Sequence, residues 1–487
     1  MTGPTSNLSP DDLIIAAERL LARAALGDLP ALARQRGARV YLCGGSLRDL
    51  ALRRPEPPIP DLDLAVDGQA FALGRDLAAG IGGRFVPLDE GHDTARVVGQ
   101  RARIDLAGLR APTIEADLLA RDYTINALAL PLDEPGPLLD PGGGLADLNR
   151  GIIRHLSRDN LVADPLRLIR AFRFLAQLGF EIHPETMVLI GGLAGLAAEP
   201  AVERTLAELY LLLEAPGAGP AMAALDKAGL LAVLFPELEA GRAMEQNEAH
   251  HLDVREHLIE TAVQAAALLA EPVEGFDEEI RSYAGPRRRH VLLAALLHDA
   301  GKPDTKRIED RPDGPWATFY QHESAGERVW ADIARRLAVS RADTAIIARL
   351  IKLHMRPWHL TGLWREDRLT NRALSRMVTA AGDDLVGLFV LALADARSAK
   401  GPLQPPRLEA EIGDLFRAAL IRRDEIARDA LDQPLLDGRQ VMEIMGLEAG
   451  PRVGRLLAAL KEARLDGLIH DAEQARDWLL TAGRRID

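Results

Sequence analysis

The stretch from Tyr41 to Val66, YLCGGSLRDLALRRPEPPIPDLDLAV, constrains this chain more than any other. Val40 to Cys43 reads as a short buried strand that breaks at Gly44-Gly45, and Ser46 is placed to cap a helix running to Leu52. After a Pro-rich loop, Asp61-Leu62-Asp63-Leu64-Ala65-Val66 reads as a second strand. Side chains alternate faces along a strand, so Asp61 and Asp63 point one way while Leu62 and Leu64 enter the core. Two neighbouring carboxylates repel each other and favour a divalent cation between them. Oxygen-only ligands suit Mg²⁺, which usually also takes substrate phosphates. The glycines let the backbone approach a polyphosphate closely, and Arg48 can reach its charge. The combination points to a nucleotidyl-transfer site. Its plainer alternative is a tight turn and a strand with two solvated acids.

At 487 residues the chain has room for several domains. Aromatics make up only 4% of it against 47% hydrophobic residues, so the core is aliphatic and the Leu/Ala-rich stretches read as helices. Cys43 is the single cysteine, which excludes an internal disulfide and fits a reducing compartment. No apolar run reads as long enough to cross a bilayer, and MTGPTSNLSPDD lacks a signal-peptide pattern. The expectation is a cytoplasmic protein with no membrane partner. A net charge of −13 argues against a protein that coats nucleic acid, but not against one that grips an RNA end through local arginines.

Asp11 to Arg36 reads as one or two amphipathic helices. From Ala38 to about Asn149 strands and helices alternate: Leu62–Val66, a helix near Phe71–Ala79, Arg84–Val86, Ala95–Val98 and Arg103–Ala107. The Gly-rich PGGGLADLNRG closes this α/β part, and the chain beyond it reads as helices without a convincing strand. GPLQPP, from Gly401 to Pro406, reads as a linker before a helical tail.

Further residues bear on chemistry. Asp105 lies on the strand Arg103–Ala107 and is a candidate to activate an attacking hydroxyl or complete the metal shell. The alternative is a surface acid on an edge strand. Arg121 and Asp122 form a local ion pair, or hold a triphosphate and a ribose hydroxyl respectively. In ADPLRLIRAFRF, Asp164 can cap a helix opened by Pro165, and Arg167, Arg170 and Arg173 follow at three-residue steps. Asp164 beside Arg167 can also read a base edge. Cytosine and adenine each offer an exocyclic amine to the carboxylate and a ring nitrogen to the guanidinium, whereas uracil and guanine put a carbonyl where Asp164 needs a donor. A matched pair of that kind gives roughly 1–3 kcal/mol of discrimination.

GGSLRD with DLD, then RDYTINA, then DPLRLIRAFRF resemble, in that order, the motifs of the class II tRNA nucleotidyltransferase/poly(A) polymerase family. The resemblance implies an α+β chain with a nucleotidyltransferase (polymerase β-like) head and Mg²⁺ on Asp61 and Asp63. Nucleotide binding would fall to Gly45, Arg48, Arg121, Asp122, Asp164, Arg167, Arg170 and Arg173, and Glu203-Arg204 resembles the neck helix. Two departures stand out: Ala163 where the family often has Glu, and Ala120 where it often has a second Arg.

The second half carries its own series. His257, His298-Asp299, His322, His354 and Asp395 fall on separate stretches. A lone histidine on an apolar helix is usually a core residue, but imidazoles gathered with carboxylates suit a transition metal. The series resembles the HD phosphohydrolase signature, which implies His257, His298, Asp299 and Asp395 as principal ligands of a divalent transition metal, with His322 and His354 available to a second. In tRNA nucleotidyltransferases that carry it, the module implies phosphodiesterase or phosphatase action on phosphorylated or cyclic-phosphate RNA ends. Leu435 to Gly467 resembles the C-terminal segment of bacterial CCA-adding enzymes, where Gly450-Pro451 and Gly454 open a helix whose N–H groups can meet RNA phosphates.

The expected layout is therefore an N-terminal helical extension (1–37), the head (38–150), a neck (151–249), an HD domain (250–401) and a tRNA-binding tail (402–487). The expected reaction adds CMP and/or AMP to a tRNA 3′ end from CTP and ATP. Its rivals are a partial CC- or A-adding enzyme, set apart by a flexible loop at Pro87 to Arg96, a poly(A) polymerase, and an HD hydrolase with a non-catalytic head. The sequence commits to no oligomeric state.

Overall fold

The computed structural model describes every residue except 1–8, 56, 135, 247–249, 272, 313, 432–433, 466–467, 470 and 484–487. The first eight residues of the N-terminal extension and the end of the Leu435–Gly467 segment thus lie outside the described residues. The chain divides into two compact units, Met1–Leu234 and Phe235–Asp487.

In the first unit two helices, α1 (Pro10–Arg23) and α2 (Leu29–Gln35), precede the sheet. Then come β1 (Arg39–Cys43), α3 (Gly44–Ala51), β2 (Asp61–Asp67), α4 (Ala70–Gly80), β3 (Arg84–Asp89), β4 (Thr94–Val98), β5 (Arg103–Gly108), α5 (Ile114–Leu119) and β6 (Ala129–Pro131). The six strands form one sheet in the order β3-β4-β5-β2-β1-β6. Leu62, Leu64 and Val66 of β2 are fully buried, as the alternation of acid and aliphatic residues requires. Each such burial contributes about 1.5–3 kcal/mol. β2 pairs with β5 in parallel, and the register sets Asp63 beside Asp105 and Asp61 beside Arg103. β5 therefore lies inside the sheet, which removes the edge-strand alternative for Asp105.

Pro87 to Arg96, expected as a flexible loop, forms a β3–β4 hairpin with a bulge between Pro87 and Asp89. Its turn residue Asp93 accepts hydrogen bonds from the backbone N–H groups of Ala70 and Phe71, at 2.6 and 2.8 Å. The helix's own first flanking residue, Gln69, makes no such bond. Asp93 thus caps α4 from across the chain. Asp93→Ala should cost about 1–2 kcal/mol locally, read as roughly five- to thirtyfold faster amide exchange at Ala70 and Phe71. Unchanged exchange there would contradict the capping role.

The unit continues through α6 (Gly144–Arg150), β7 (Ile152–Ile153), α7 (Arg158–Ala163), α8 (Leu166–Leu178), β8 (Glu181–Ile182), α9 (Pro184–Gly192), α10 (Val202–Glu214), α11 (Ala218–Lys227) and α12 (Leu230–Leu234). β7 and β8 form a two-residue parallel pair that the sequence reading did not anticipate.

The second unit comprises α13 (Val254–Ala270), α14 (Asp277–Leu297), α15 (Lys302–Thr305), β9 (Arg307–Arg311), β10 (Gly314–Thr318), α16 (His322–Arg336), α17 (Arg341–Leu353), α18 (Met355–Arg365), α19 (Asn371–Ala381), α20 (Leu385–Ala399), α21 (Leu408–Leu431), α22 (Gly438–Met445), α23 (Pro451–Leu465) and α24 (Ala472–Thr481). The β9–β10 hairpin corrects the expectation of an all-helical second half. One stretch, Asn371–Ala399, is long and apolar enough to cross a membrane, against the sequence expectation, but 78% of its most apolar window is buried inside the protein. Apolarity all round is what a core helix shows.

Candidate functional sites in the two units

In the first unit the chain turns from β1 into α3 at Gly44, whose φ of +64° suits glycine. A side chain there would also meet Asp63, since a Cβ would sit 3.1 Å from its Oδ2. Ser46 is not the helix cap. It lies inside the first turn of α3, and its hydroxyl accepts from the Asp63 N–H at 2.8 Å and donates to the Asp61 carbonyl at 3.0 Å. The cap is supplied by Asp63 itself, whose Oδ2 accepts from the Ser46 N–H at 3.3 Å. A carboxylate at a helix N-terminus complements the helix dipole. Burial nevertheless pushes the Asp63 carboxyl up, the Ser46 N–H opposes this, and the nearby Asp105 adds to it. Asp63 is thus an acid whose negative charge is under-compensated.

Asp105 is gripped by Arg96 in fork geometry, at 2.6 and 2.8 Å. Its neighbours Asp61 and Asp63 also act on Arg96, and together these hold the guanidinium more firmly charged despite burial. Asp61 is more exposed than Asp63 and lies 3.3 Å from Arg103. A face of three carboxylates offers oxygen donors only, which fits Mg²⁺.

Facing them is a cavity of about 680 Å³ lined by Gly44, Gly45, Arg48, Asp63, Asp105, Arg121, Asp122, Asp164, Arg167, Arg170, Arg173 and Arg204. Asp61 alone of the expected head residues is absent from its wall. Arg48 Nη1 donates to Asn126 Oδ1 at 2.9 Å. Arg121 is half-buried between the Cys43 sulfur (3.2 Å) and Asp117 (3.3 Å). Burial works against its charge, but those two neighbours outweigh it and raise its pKa. Asp122 stays below the usual carboxylate range although burial opposes this, because Arg170 lies 2.9 Å away and Asn126 donates to it. Arg173 pairs with Glu208 at 2.8 Å. Arg48, Arg170 and Arg173 also lie over the Phe174 ring, at 5.3, 5.6 and 4.5 Å.

Asp164 does not cap α8. Its backbone is extended between α7 and α8, and its carboxylate lies 3.2 Å from Arg204 and 4.0 Å from Arg167. Arg167 Nη1 is held by the carbonyls of Ala120 and Asn160 at 2.9 and 3.2 Å. The pair is fixed by backbone and by the neck helix, not by local capping.

In the second unit all six expected residues converge. Asp299 lies 3.6 Å from His257, 3.3 Å from His298, 3.1 Å from His322 and 3.5 Å from His354. Asp395 lies 3.1 Å from His257 and 3.8 Å from His298. The packing of α15 on α16 needs Gly301, where a Cβ would fall 2.2 Å from the His322 carbonyl. Buried His257 Nε2 and His298 Nε2 have no aligned hydrogen-bond partner. Burial lowers the pKa of His257 and His354, while Asp299 and Asp395 outweigh burial at His298 and raise it. Asp299 is held far below its ordinary value despite burial, by Lys302 and His298. Among the described residues, three groups of acids and histidines have the spacing a metal requires: His250/His257/Asp299, His257/His298/Asp395 and His298/Asp299/His354. All lie here, and no group of three among the described residues of the head meets that spacing.

Residues 40–154 match the family model for the poly A polymerase head domain, 179–241 that for the probable RNA and SrmB-binding site of polymerase A, and 254–400 that for the HD domain. An A-adding tRNA nucleotidyltransferase from Deinococcus radiodurans is 36% identical over 449 residues, covering 90% of this chain and 94% of that protein. The chain belongs to the tRNA nucleotidyltransferase/poly(A) polymerase family of enzymes. A CC-adding tRNA nucleotidyltransferase from Thermus thermophilus is 34% identical over 452 residues, 90% of this chain and 92% of that one. The fold is that of a Thermotoga maritima CCA-adding enzyme solved with tRNA, with a TM-score of 0.65, 22% identity and coverage of 96% and 98% of the two chains. Nucleotidyltransferases of this kind depend on divalent metal.

Several residues of these sites escaped the sequence reading. His250, whose pKa is pushed down to about 3 mainly by burial, joins the histidine cluster, and Lys302 Nζ lies 2.5 Å from Asp299. Both stand close in sequence to expected ligands, in HHLDVREH and HDAGKP, but the sequence does not show that they are buried beside them. Trp358, which donates to Asp395 at 2.8 Å, and Arg96 gave no signal at all.

Proposed function

We propose that the chain adds CMP and/or AMP to the 3′ end of tRNA from CTP and ATP. The observation that carries this is the single cavity joining the Gly44-Gly45 turn, Asp63 and Asp105 to Asp164 and the arginines of α8. The full-length relatives divide between A-adding and CC-adding names, and they support the reaction class more firmly than the number of additions. The terminal hydroxyl gives up its proton to water, its oxygen attacks the α-phosphorus, the bond from that phosphorus to the oxygen bridging to the β-phosphate breaks, and pyrophosphate leaves. Mg²⁺ held by Asp61 and Asp63, with Asp105 as third carboxylate, would neutralise charge on the triphosphate and the attacking oxygen. Arg48 and Arg121 bind the phosphates, and Asp122 accepts from the ribose. Asp164 accepts the exocyclic amine and Arg167 donates to the adjoining ring nitrogen, so the protein takes the place of a template.

Incubation of a tRNA ending at its discriminator base with CTP alone, ATP alone and both tests the reading. Product lengths separate CC, A and CCA addition, and extension by a long run of A would point to poly(A) polymerase instead. Asp164→Ala should shrink the preference for CTP and ATP over UTP and GTP by about tenfold to a hundredfold. An unchanged nucleotide preference would remove Asp164 from base selection.

The six-residue cluster supports a second activity, hydrolysis of phosphorylated or cyclic-phosphate RNA ends. Its mixed imidazole and carboxylate donors fit a divalent transition metal, which would polarise the ester and activate water. Lys302, 2.5 Å from Asp299, fixes the charge of that carboxylate.

A further inference from the structure

The cavity at the histidine cluster is larger than a phosphate requires, and part of its wall is aromatic. It measures about 510 Å³ and is lined by Asp299, Lys302, Asp395 and Trp358 together with Trp316 and Tyr320. That volume lies in the range of whole small-molecule ligands, about 300–1,000 Å³. Directly opposite residues of an antiparallel pair share a face, so Trp316 (opposite Glu309) and Arg311 (opposite Gly314) lie on the same face of the β9–β10 hairpin. The Arg311 guanidinium stands over the Trp316 ring at 4.6 Å. Tyr320, just beyond β10, is 65% exposed. Trp358 has its indole N–H fixed by Asp395, so the aromatic wall is tied directly to the cluster. Lys302, anchored by Asp299 and by Gln246 Oε1 at 2.6 Å, supplies the cation on the polar side.

An exposed tyrosine and a tryptophan stacked on arginine add little to a core. On the wall of a polar cavity they form faces for a flat ring, and every nucleobase has one. We propose that Trp316, Arg311 and Tyr320 form a nucleobase platform at the mouth of the cluster. The substrate of the cluster is then a phosphate ester or cyclic phosphate carried on a nucleoside, such as the last nucleotide of an RNA, and the base is gripped without its identity being read. This rests on the phosphohydrolase reading of the cluster.

The test uses the full-length protein loaded with Mn²⁺, as wild type, Trp316→Ala and Tyr320→Ala. Each is assayed on adenosine 2′,3′-cyclic phosphate and on methyl riboside 2′,3′-cyclic phosphate, which has the same ester and no base. Wild type should show a KM at least about tenfold lower for the adenosine compound, the order of one base–aromatic stack. Both variants should lose that advantage with kcat for the base-free ester and metal content unchanged. Equal KM values in wild type, or an advantage surviving both substitutions, would overturn the platform while leaving the hydrolase intact. If neither ester is cleaved, quenching of tryptophan fluorescence by adenosine 2′-phosphate decides. Quenching lost in Trp316→Ala upholds the platform and removes the hydrolase reading, and no quenching overturns the platform.

Discussion

Replacing Asp63 with asparagine should lower nucleotide incorporation into tRNA by about 10³-fold or more, equivalent to at least about 4 kcal/mol of transition-state stabilisation. Asp63 does two things at once in the structure. Its Oδ2 accepts the Ser46 N–H at the start of α3, and its charge sits beside Asp105 at the glycine turn. Asparagine can still accept the backbone hydrogen bond, so the substitution removes charge while largely keeping the cap. Thermal stability should therefore stay close to wild type while activity collapses. Asp63→Ala should lose activity equally and, in addition, about 1 kcal/mol of stability through the missing cap. Asp61→Ala should also abolish incorporation of CTP and ATP, although Asp61 is more exposed and its removal should leave α3 intact. Incorporation that persists at near wild-type rate in Asp63→Asn would separate the carboxylate from the chemistry.

The second large effect is expected at Asp299. It lies within 3.6 Å of four histidines and in contact with Lys302. Asp299→Ala should eliminate metal-dependent hydrolysis of a 2′,3′-cyclic phosphate and reduce bound transition metal to background. It should also destabilise the second unit by about 3–5 kcal/mol, because Lys302 is left as a buried cation without its partner. Asp299→Asn should keep more of the stability and none of the hydrolysis. Nucleotide addition should survive Asp299→Asn, since every residue assigned to binding the nucleotide and its metal lies between Met1 and Leu234. Hydrolysis retained by Asp299→Asn would contradict the assignment of the cluster.

What could be read in the sequence divides along local and non-local physics. The acid–aliphatic alternation of Asp61 to Val66 fixed which side chains share a face, and β2 forms over that run. A helix after β1 was legible, but neither its start nor its cap: α3 begins at Gly44, and the carboxylate that accepts the Ser46 N–H comes from Asp63 on β2. Asp105 was found by its place on a strand, whereas its engagement by Arg96 depends on the antiparallel β4–β5 register. The β9–β10 hairpin was missed because Arg307 to Arg311 is charged on both faces and lacks the apolar alternation of a half-buried strand. The histidine cluster was legible because its members come from separate stretches rich in histidine and aspartate. Lys302 stands only three residues from Asp299, but that spacing alone does not show the pair to be buried. His250 was hidden because Asp299, beside which it stands in the cluster, lies far along the chain.

One assay bears on all of this. Wild-type protein with Mg²⁺ is offered CTP, ATP, UTP and GTP separately, each labelled at the α-phosphate, on tRNA ending at its discriminator base and on tRNA ending in CC. Transfer of C or A onto at least one of these ends, with U and G disfavoured by at least about tenfold, is the expected outcome. No transfer from any of the four, or equal transfer from all of them, would contradict a protein-templated nucleotidyl-transfer site built on Asp63, Asp164 and Arg167.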